Sequence, residues 1–287
     1  MSKIKLITDS ACDLSREAAA HYDIQVLPLT IFHEDEQYRD WYDFTPPEFY
    51  KLLDQWEVPP TTSQVSPTMF LEAFCKARDE GYEAIIAVSL NAAASGTCQS
   101  ALIARGMFYE QEENCRIPIE VIDSTSYAYL IGFFLEQAAQ RIEAGAAFQD
   151  VVDYLRERYS RVQAYAIVYT LDMLKRTGRI NGATNFVANL LDIKPVLLIG
   201  NAEIRQVDKV RGRKKGVAKL VQLVKENMDP QEQDLLVVCG DMPEELEELK
   251  KALALHFPEC RLHYSTMGSV IALNAGPRLL GVGFIHK

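Results

Sequence analysis

Short β-rich runs alternate with helix-length segments through the first 160 residues, and three of these runs stop at small polar residues. Such alternation points to parallel strands covered by helices, an α/β sheet. Ile4-Lys5-Leu6-Ile7-Thr8 is the first run, closed by Asp9-Ser10, and a helix is expected over 15–22. Residues 24–32 read as a second β run. Thr45-Pro46-Pro47-Glu48 combines an N-cap residue, helix-start prolines and a capping-box acid, which opens a helix to about residue 55. Ser66-Pro67 opens another in the same way, ending near Gly81. A strand over 83–90, a helix over 97–111, a strand over 117–122 closed by Asp123-Ser124, and an apolar helix over 127–143 before Gly145 complete this part. Open parallel sheets bind ligands just past the carboxyl ends of their strands. Thr8-Asp9-Ser10, the 89–97 loop and Asp123-Ser124 are therefore expected on one edge.

The pattern changes after about residue 160. A strand over 164–169 and a short helix over 171–176 ended by Gly178 precede two β runs, 195–199 and 203–210, flanking Gly200-Asn201, a hairpin signal. A basic helix over 214–227, a strand over 235–239, a helix over 243–257 and strands over 261–265 and 281–285 follow. Hairpins mixed with helices suggest an α+β domain. The expected organisation is a parallel-sheet α/β domain over 1–160 carrying the ligand loops, and an α+β domain over 161–287 carrying a basic patch and a Gly-Pro loop. No flexible linker, internal repeat or low-complexity segment is visible.

Composition excludes several classes of protein. Hydrophobic residues make up 48%, too many for global disorder, and 30 Lys plus Arg against 40 Asp plus Glu give a net charge of −10. A nucleic-acid partner needs a basic surface, so none is expected. No apolar run reaches the roughly 18 residues of a membrane span, and the N-terminus lacks a signal-peptide pattern; stable membrane insertion is not expected, and the expected location is the cytoplasm. The six cysteines (Cys12, Cys75, Cys98, Cys115, Cys239, Cys260) are scattered, with no zinc-ligand spacing, and read as reduced thiols. Neither a metal nor a cofactor is expected. There is no P-loop, HExxH, GxSxG or usable GxGxxG, and His21, His33, His256, His263 and His286 sit in no catalytic context.

Five segments remain. Residues 59–67 place four hydroxyls and an amide just before a helix start. Residues 89–97 place small residues between a strand and a helix, where free N–H groups favour an anion. Hydroxyls of Thr62 and Ser95 can complete a neutral pocket for a carboxylate or phosphate; the competing reading is that Ser66, Ser95 and Thr97 only cap helices. The third segment, 170–180, and the fourth, 190–197 with 209–215, hold the local basic patch, read either as a contact for phosphate or an acidic partner or as a solvated helix end. The fifth, 267–278, reads as a tight apolar loop in which Asn274 is the only polar side chain between Ser269 and Arg278, with turn stabilisation as its simplest role.

Taken in order, these segments resemble the DegV family of bacterial fatty-acid-binding proteins over essentially the whole chain. The matching stretches are Thr8-Asp9-Ser10, the TSQ-x-S of 62–66, the SGT-x-QSA of 95–101, Asp123-Ser124, a TL-x-x-L-x-x-x-GRI stretch from Thr170, the IKP of 193–195 and a GP loop near the C-terminus. The resemblance implies a two-domain α/β carrier of one long-chain, palmitate-like fatty acid. Its carboxylate is held by the residues matching Thr62 and Ser95, and its acyl chain lies in an apolar tunnel between or beside the domains. It also implies presentation of the fatty acid to a separate fatty acid kinase that makes the acyl phosphate, with no active site in the carrier. Ser63, Gly96 and Asn274 are secondary head-group candidates, and Arg179 and Arg211 are candidates for kinase or phosphate contact. Phe70, Phe74, Leu130, Phe133, Phe134 and Leu273 are tunnel candidates that ordinary core packing explains equally. The sequence departs from the family where many members have a histidine before the GP pair, here Asn274; where a glycine follows it, here Arg278; and at Asn91-Ala92-Ala93-Ala94, where Ser, Gly and Leu are more usual. Two other readings compete: an enzyme using Ser95 for acyl transfer, and a binder of another small anionic metabolite.

Overall fold

The computed structural model describes residues 3–111, 117–169, 171–180 and 193–287. The chain forms two compact units, Met1–Asp43 with Pro60–Ser160, and Phe44–Pro59 with Arg161–Lys287.

The first unit is built on a parallel sheet with strand order Gln25–Leu27, Ile4–Asp9, Ala84–Ser89, Ile119–Asp123. All three neighbouring pairs are parallel. Ile4–Asp9 and Ala84–Ser89 are buried along their whole length, the pattern of strands covered on both faces. Pro67–Asp79, Thr97–Gln111, Tyr129–Glu143 and Phe148–Arg161 are the long helices that follow these strands. Rings interlock in their core: Phe70 with Phe74 at 6.0 Å, Phe74 with Phe108 at 6.4 Å, and Phe134 edge-on to Tyr159 at 5.8 Å. Each such side chain contributes about 1.5–3 kcal/mol by leaving water. Phe70, Phe74, Leu130, Phe133 and Phe134 are all buried in this unit.

The β run over 24–32 is two strands rather than one. Pro28 stands between Gln25–Leu27 and Thr30–His33, and proline has no N–H for a ladder. Thr30–His33 instead joins a small antiparallel sheet between Glu36–Arg39 and Thr61–Ser63.

The second unit has a six-stranded mixed sheet, in the order Glu203–Arg211, Ile193–Gly200, Val162–Val168, Leu279–Ile285, Asp234–Cys239, Arg261–Thr266. Only the last pair runs parallel. Arg213–Asn227 and Pro243–His256 pack on one face, with Ile167, Val196, Leu220, Val224, Leu235 and Val282 in the shared core. The hairpin turn is Asn201-Ala202, both at positive φ, one residue later than the sequence signal. Gly200 lies within the strand, where a Cβ would meet Gln163 Cγ at 2.6 Å.

The helix Pro46–Gln55 starts where the capping box places it. Thr45 N–H and hydroxyl both donate to Glu48 Oε2 at 2.8 Å. A division at residue 160 would put this helix in the first domain, but it groups with the second unit. Tyr50 hydroxyl donates to the carbonyl of Met267, and buried Phe49 packs between Phe44 and Trp56. Among the described residues, no helix is long and apolar enough to cross a membrane.

Candidate functional site

The three polar strand ends do share one edge. Ser89 pairs with Asp123 and Thr8 with Val88, so the central strand Ala84–Ser89 ends between its two neighbours. The loop that leaves it reaches Ser95 and the helix Thr97–Gln111.

Both flanking strands send a carboxylate to this loop. Asp9 is fully buried; its Oδ2 accepts the N–H of Leu90 at 2.8 Å and its Oδ1 that of Ala11 at 3.0 Å. Burial pushes the Asp9 carboxyl up to about 7, against the opposing pull of those two N–H groups and with a further rise from the Asp40 charge. Asp123 Oδ1 accepts the N–H of Ala92 at 3.1 Å and that of Thr125 at 2.8 Å. Between them Asn91, fully buried, organises the turn. Its Oδ1 accepts Ala93 N–H at 2.9 Å, its Nδ2 donates to Tyr127 hydroxyl at 2.8 Å, and its carbonyl accepts Ala94 and Ser95 N–H. An Asn at this position thus does the work of folding the loop.

Ser95 is half-buried. Its hydroxyl lies 2.9 Å from Thr97 Oγ1 and accepts Thr97 N–H at 3.3 Å. Ser95 thus serves the first N–H of its helix, whereas Ser66 is a true N-cap that accepts Met69 N–H at 3.3 Å. Among the described residues, Gly96 N–H has no hydrogen-bond partner, while the amides of Ala93, Ala94, Ser95 and Thr97 all have one.

Thr62 sits in the short strand Thr61–Ser63, opposite Ile31. It is half-buried and Ser63 is exposed. Gln64 joins this segment to the serine loop: its Nε2 donates to Ser100 Oγ at 2.9 Å, and its amide lies over Gly96, where a Cβ would come within 2.1 Å of Gln64 Oε1. The structure therefore brings the two hydroxyl-rich segments side by side through Gln64. Gln64 stood in the TSQ motif without a role, and Asp9 and Asp123 likewise stood in matched motifs. Their hydrogen bonds depend on which strands are neighbours.

The remaining candidates belong to the second unit. Asn274 lies in the helix Ser269–Ala275, not in a loop; its Nδ2 donates back to Val270 carbonyl at 2.8 Å, and its buried Oδ1 has no partner among the described residues. Leu273 is buried core. Pro277 closes over Gly240, where a Cβ would lie 1.9 Å from the Pro277 carbonyl oxygen. Arg278 is exposed, with its guanidinium 5.0 Å from the Tyr169 ring. Arg179 donates to Thr177 carbonyl at 2.6 Å just past the left-handed Gly178. Arg211 is exposed at the end of its strand. The basic patch is partly neutralised, because Arg213 pairs with Glu244 and Glu248, and Lys219 with Asp208. Thr170, Leu190, Leu191, Asp192 and Cys115 lie outside the described residues.

Lys194 of the IKP stretch is buried in this unit. Its ammonium lies 3.1 Å from Tyr169 hydroxyl and 3.4 Å from Glu245 Oε1, and Tyr169 hydroxyl donates to that same oxygen at 2.7 Å. Burial alone would raise the Glu245 carboxyl, but Tyr169 and Lys194 outweigh it and hold it below its usual range. Among the described residues, no group of three or more His, Cys, Asp and Glu side chains is placed to hold a metal ion.

A parallel α/β unit with hydroxyl-bearing loops at its strand ends, continued into a mixed-sheet unit by one chain, defines a two-unit α/β protein. Residues 3–287 match the family model described as "Uncharacterised protein, DegV family". A DegV domain-containing protein of Caldanaerobacter subterraneus is 34% identical over the full length of both chains. The chain belongs to the DegV family. Among solved structures it is similar to a DegV lipid-binding protein of Thermotoga maritima, with 30% identity, TM-score 0.85, and 99% of this chain and 98% of that one covered. It is also similar to a stearic acid-binding protein of Eubacterium ventriosum, with 27% identity, TM-score 0.88, and coverage of 100% and 99%.

Proposed function

We propose that this protein is a carrier that binds one long-chain fatty acid, with the carboxylate held by Thr62 and Ser95 and the acyl chain in an apolar tunnel. The observation that carries the reading is the Gln64 bridge, which sets the Thr62 segment against the Ser95–Gly96 turn in a fold shared end to end with lipid-binding relatives. Two hydroxyls and the Gly96 N–H suit a carboxylate, which needs donors when it leaves water. Ser63 is a secondary head-group contact in this reading. Each buried methylene adds about 0.8 kcal/mol, so the acyl chain supplies most of the affinity.

The carrier presents its fatty acid to a separate fatty acid kinase, with Arg179 and Arg211 as contacts for the kinase or its phosphate. A carrier is favoured over an acyl-transfer enzyme because a nucleophilic serine needs a base in hydrogen-bond reach. Among the described residues, the hydrogen-bond partner of the Ser95 hydroxyl is Thr97, through its hydroxyl and its N–H.

The test is to purify the protein natively, extract it with solvent and weigh the extract. A stoichiometric long-chain fatty acid is expected, and Thr62→Val with Ser95→Ala is expected to weaken binding by about 1–3 kcal/mol with the fold intact. An empty extract with no uptake of added fatty acid would overturn the reading.

A further inference from the structure

The serine loop leaves the strand Ala84–Ser89, and each of the two strands paired with it ends in an aspartate that accepts a loop amide. Asp9 takes Leu90, the first residue after the strand, and Asp123 takes Ala92, two residues on. The same carboxylates fix their own chains, through Ala11 and Thr125. Neither aspartate has an Arg or Lys ion-pair partner among the described residues. Their acceptor oxygens serve backbone N–H groups on two elements at once. Asn91 completes the arrangement from inside the turn.

We propose that Asp9 and Asp123 are positioning residues for the head-group site: together they clamp the 90–96 loop so that the Ser95 hydroxyl and the Gly96 N–H face an incoming carboxylate. The proposal rests on the fatty-acid reading above and goes beyond it by naming residues that touch no ligand. The clamp turns one set of loop amides inward, toward Asp9 and Asp123, and leaves the Gly96 amide for the ligand. A donor pair held in place before binding loses little freedom on binding.

The two aspartates use their oxygens differently, which gives the clamp a signature. Asp123 accepts both amides on one oxygen, so the carbonyl of an asparagine can replace it. Asp9 accepts one amide on each oxygen, so asparagine would set its NH2 against one backbone N–H. Asp123→Asn is therefore expected to behave like the unaltered protein, and Asp123→Ala and Asp9→Asn are not.

The experiment compares stearate with methyl stearate, which fills the same chain site but offers no carboxylate, by displacement of a fluorescent fatty acid. For Asp123→Ala and Asp9→Asn, stearate affinity is expected to fall about tenfold, with methyl stearate within about twofold. Asp123→Asn should stay within about twofold for both. Amide exchange should speed up at Ala92 in Asp123→Ala and at Leu90 in Asp9→Asn, with the strand amides of the sheet unchanged; if Asp9→Asn folds poorly and exchanges everywhere, Asp123→Ala alone decides the clamp. Uptake of stearate by the unaltered protein with unchanged affinity in Asp123→Ala would overturn the clamp and leave the carrier standing. No uptake by the unaltered protein would overturn the carrier reading itself.

Discussion

A buried carboxylate whose own environment resists its charge should make the first unit less stable as pH rises. Asp9 moves from a usual 3.8 to about 7, mainly through burial. Between these values the folded protein holds one proton more than the unfolded chain, so stability falls with rising pH. The contribution of Asp9 is fully present below about pH 4 and is lost as pH passes through about 7. At about 1.4 kcal/mol per pH unit over roughly three units, the full effect is about 4 kcal/mol. Asp40 acts on Asp9 by charge; Cys12, Cys98 and Tyr159, which feel Asp9, are pushed up by burial, away from this window. The assay is urea unfolding of ligand-free protein between pH 4.5 and 8.5 at constant ionic strength. Trp41 lies in the first unit and Trp56 in the second, so a Trp56→Phe background lets fluorescence follow the first unit alone. The stability of this protein minus that of its Asp9→Asn variant should drop by several kcal/mol across the range, chiefly below about pH 7. A difference that stays level, or that grows with pH, would refute the argument that burial dominates the two amide hydrogen bonds.

Two further outcomes follow from contacts elsewhere. Gly96→Ala puts a methyl against the flexible end of Gln64, so Gln64 should swing away and its bond to Ser100 break; urea unfolding should show a loss of about 1 kcal/mol, matched by Gln64→Ala and not deepened in the double variant, and additive losses would count against the bridge. Lys194→Met leaves the Glu245 side chain, 9% exposed, without its cation; thermal unfolding should report about 3–5 kcal/mol of destabilisation, largely recovered when Glu245→Leu is added, and a single variant as stable as the parent would show the pair contributes nothing.

Local chemistry made much of the fold legible. Thr45-Pro46-Pro47-Glu48, Ser66-Pro67 and Gly178 mark helix ends by capping and backbone geometry that depend on a few neighbours, and the helices begin and end there. The helix Phe148–Arg161 escaped notice although Val151, Val152, Leu155 and Tyr159 recur at helical spacing, because charged residues fill the positions between them. Gly200-Asn201 gave the hairpin but not its turn, since the glycine answers to Gln163 across the sheet. Asn274 read as a turn residue because Gly268, Gly276 and Pro277 surround it, yet seven residues between those breakers form a helix. At the site, Thr62 and Ser95 stood out through hydroxyl-rich segments and the family resemblance. Asp9, Asp123 and Gln64 take their partners from sheet order and from a contact between distant loops, and neither is written in local sequence.

The excursion of residues 44–59 into the second unit has a consequence during synthesis. When the first 160 residues have been made, every strand of the parallel sheet exists, but the helix Pro46–Gln55 has no body to join. Tyr50 finds its partner Met267 only 217 residues later. At 5–20 residues per second this is a wait of roughly 10–40 s. Phe49 and Tyr50, buried in the finished protein, lack the rest of their unit for that interval. Nascent chains halted near residue 160 should therefore be bound by chaperones at this loop, and full-length chains should not.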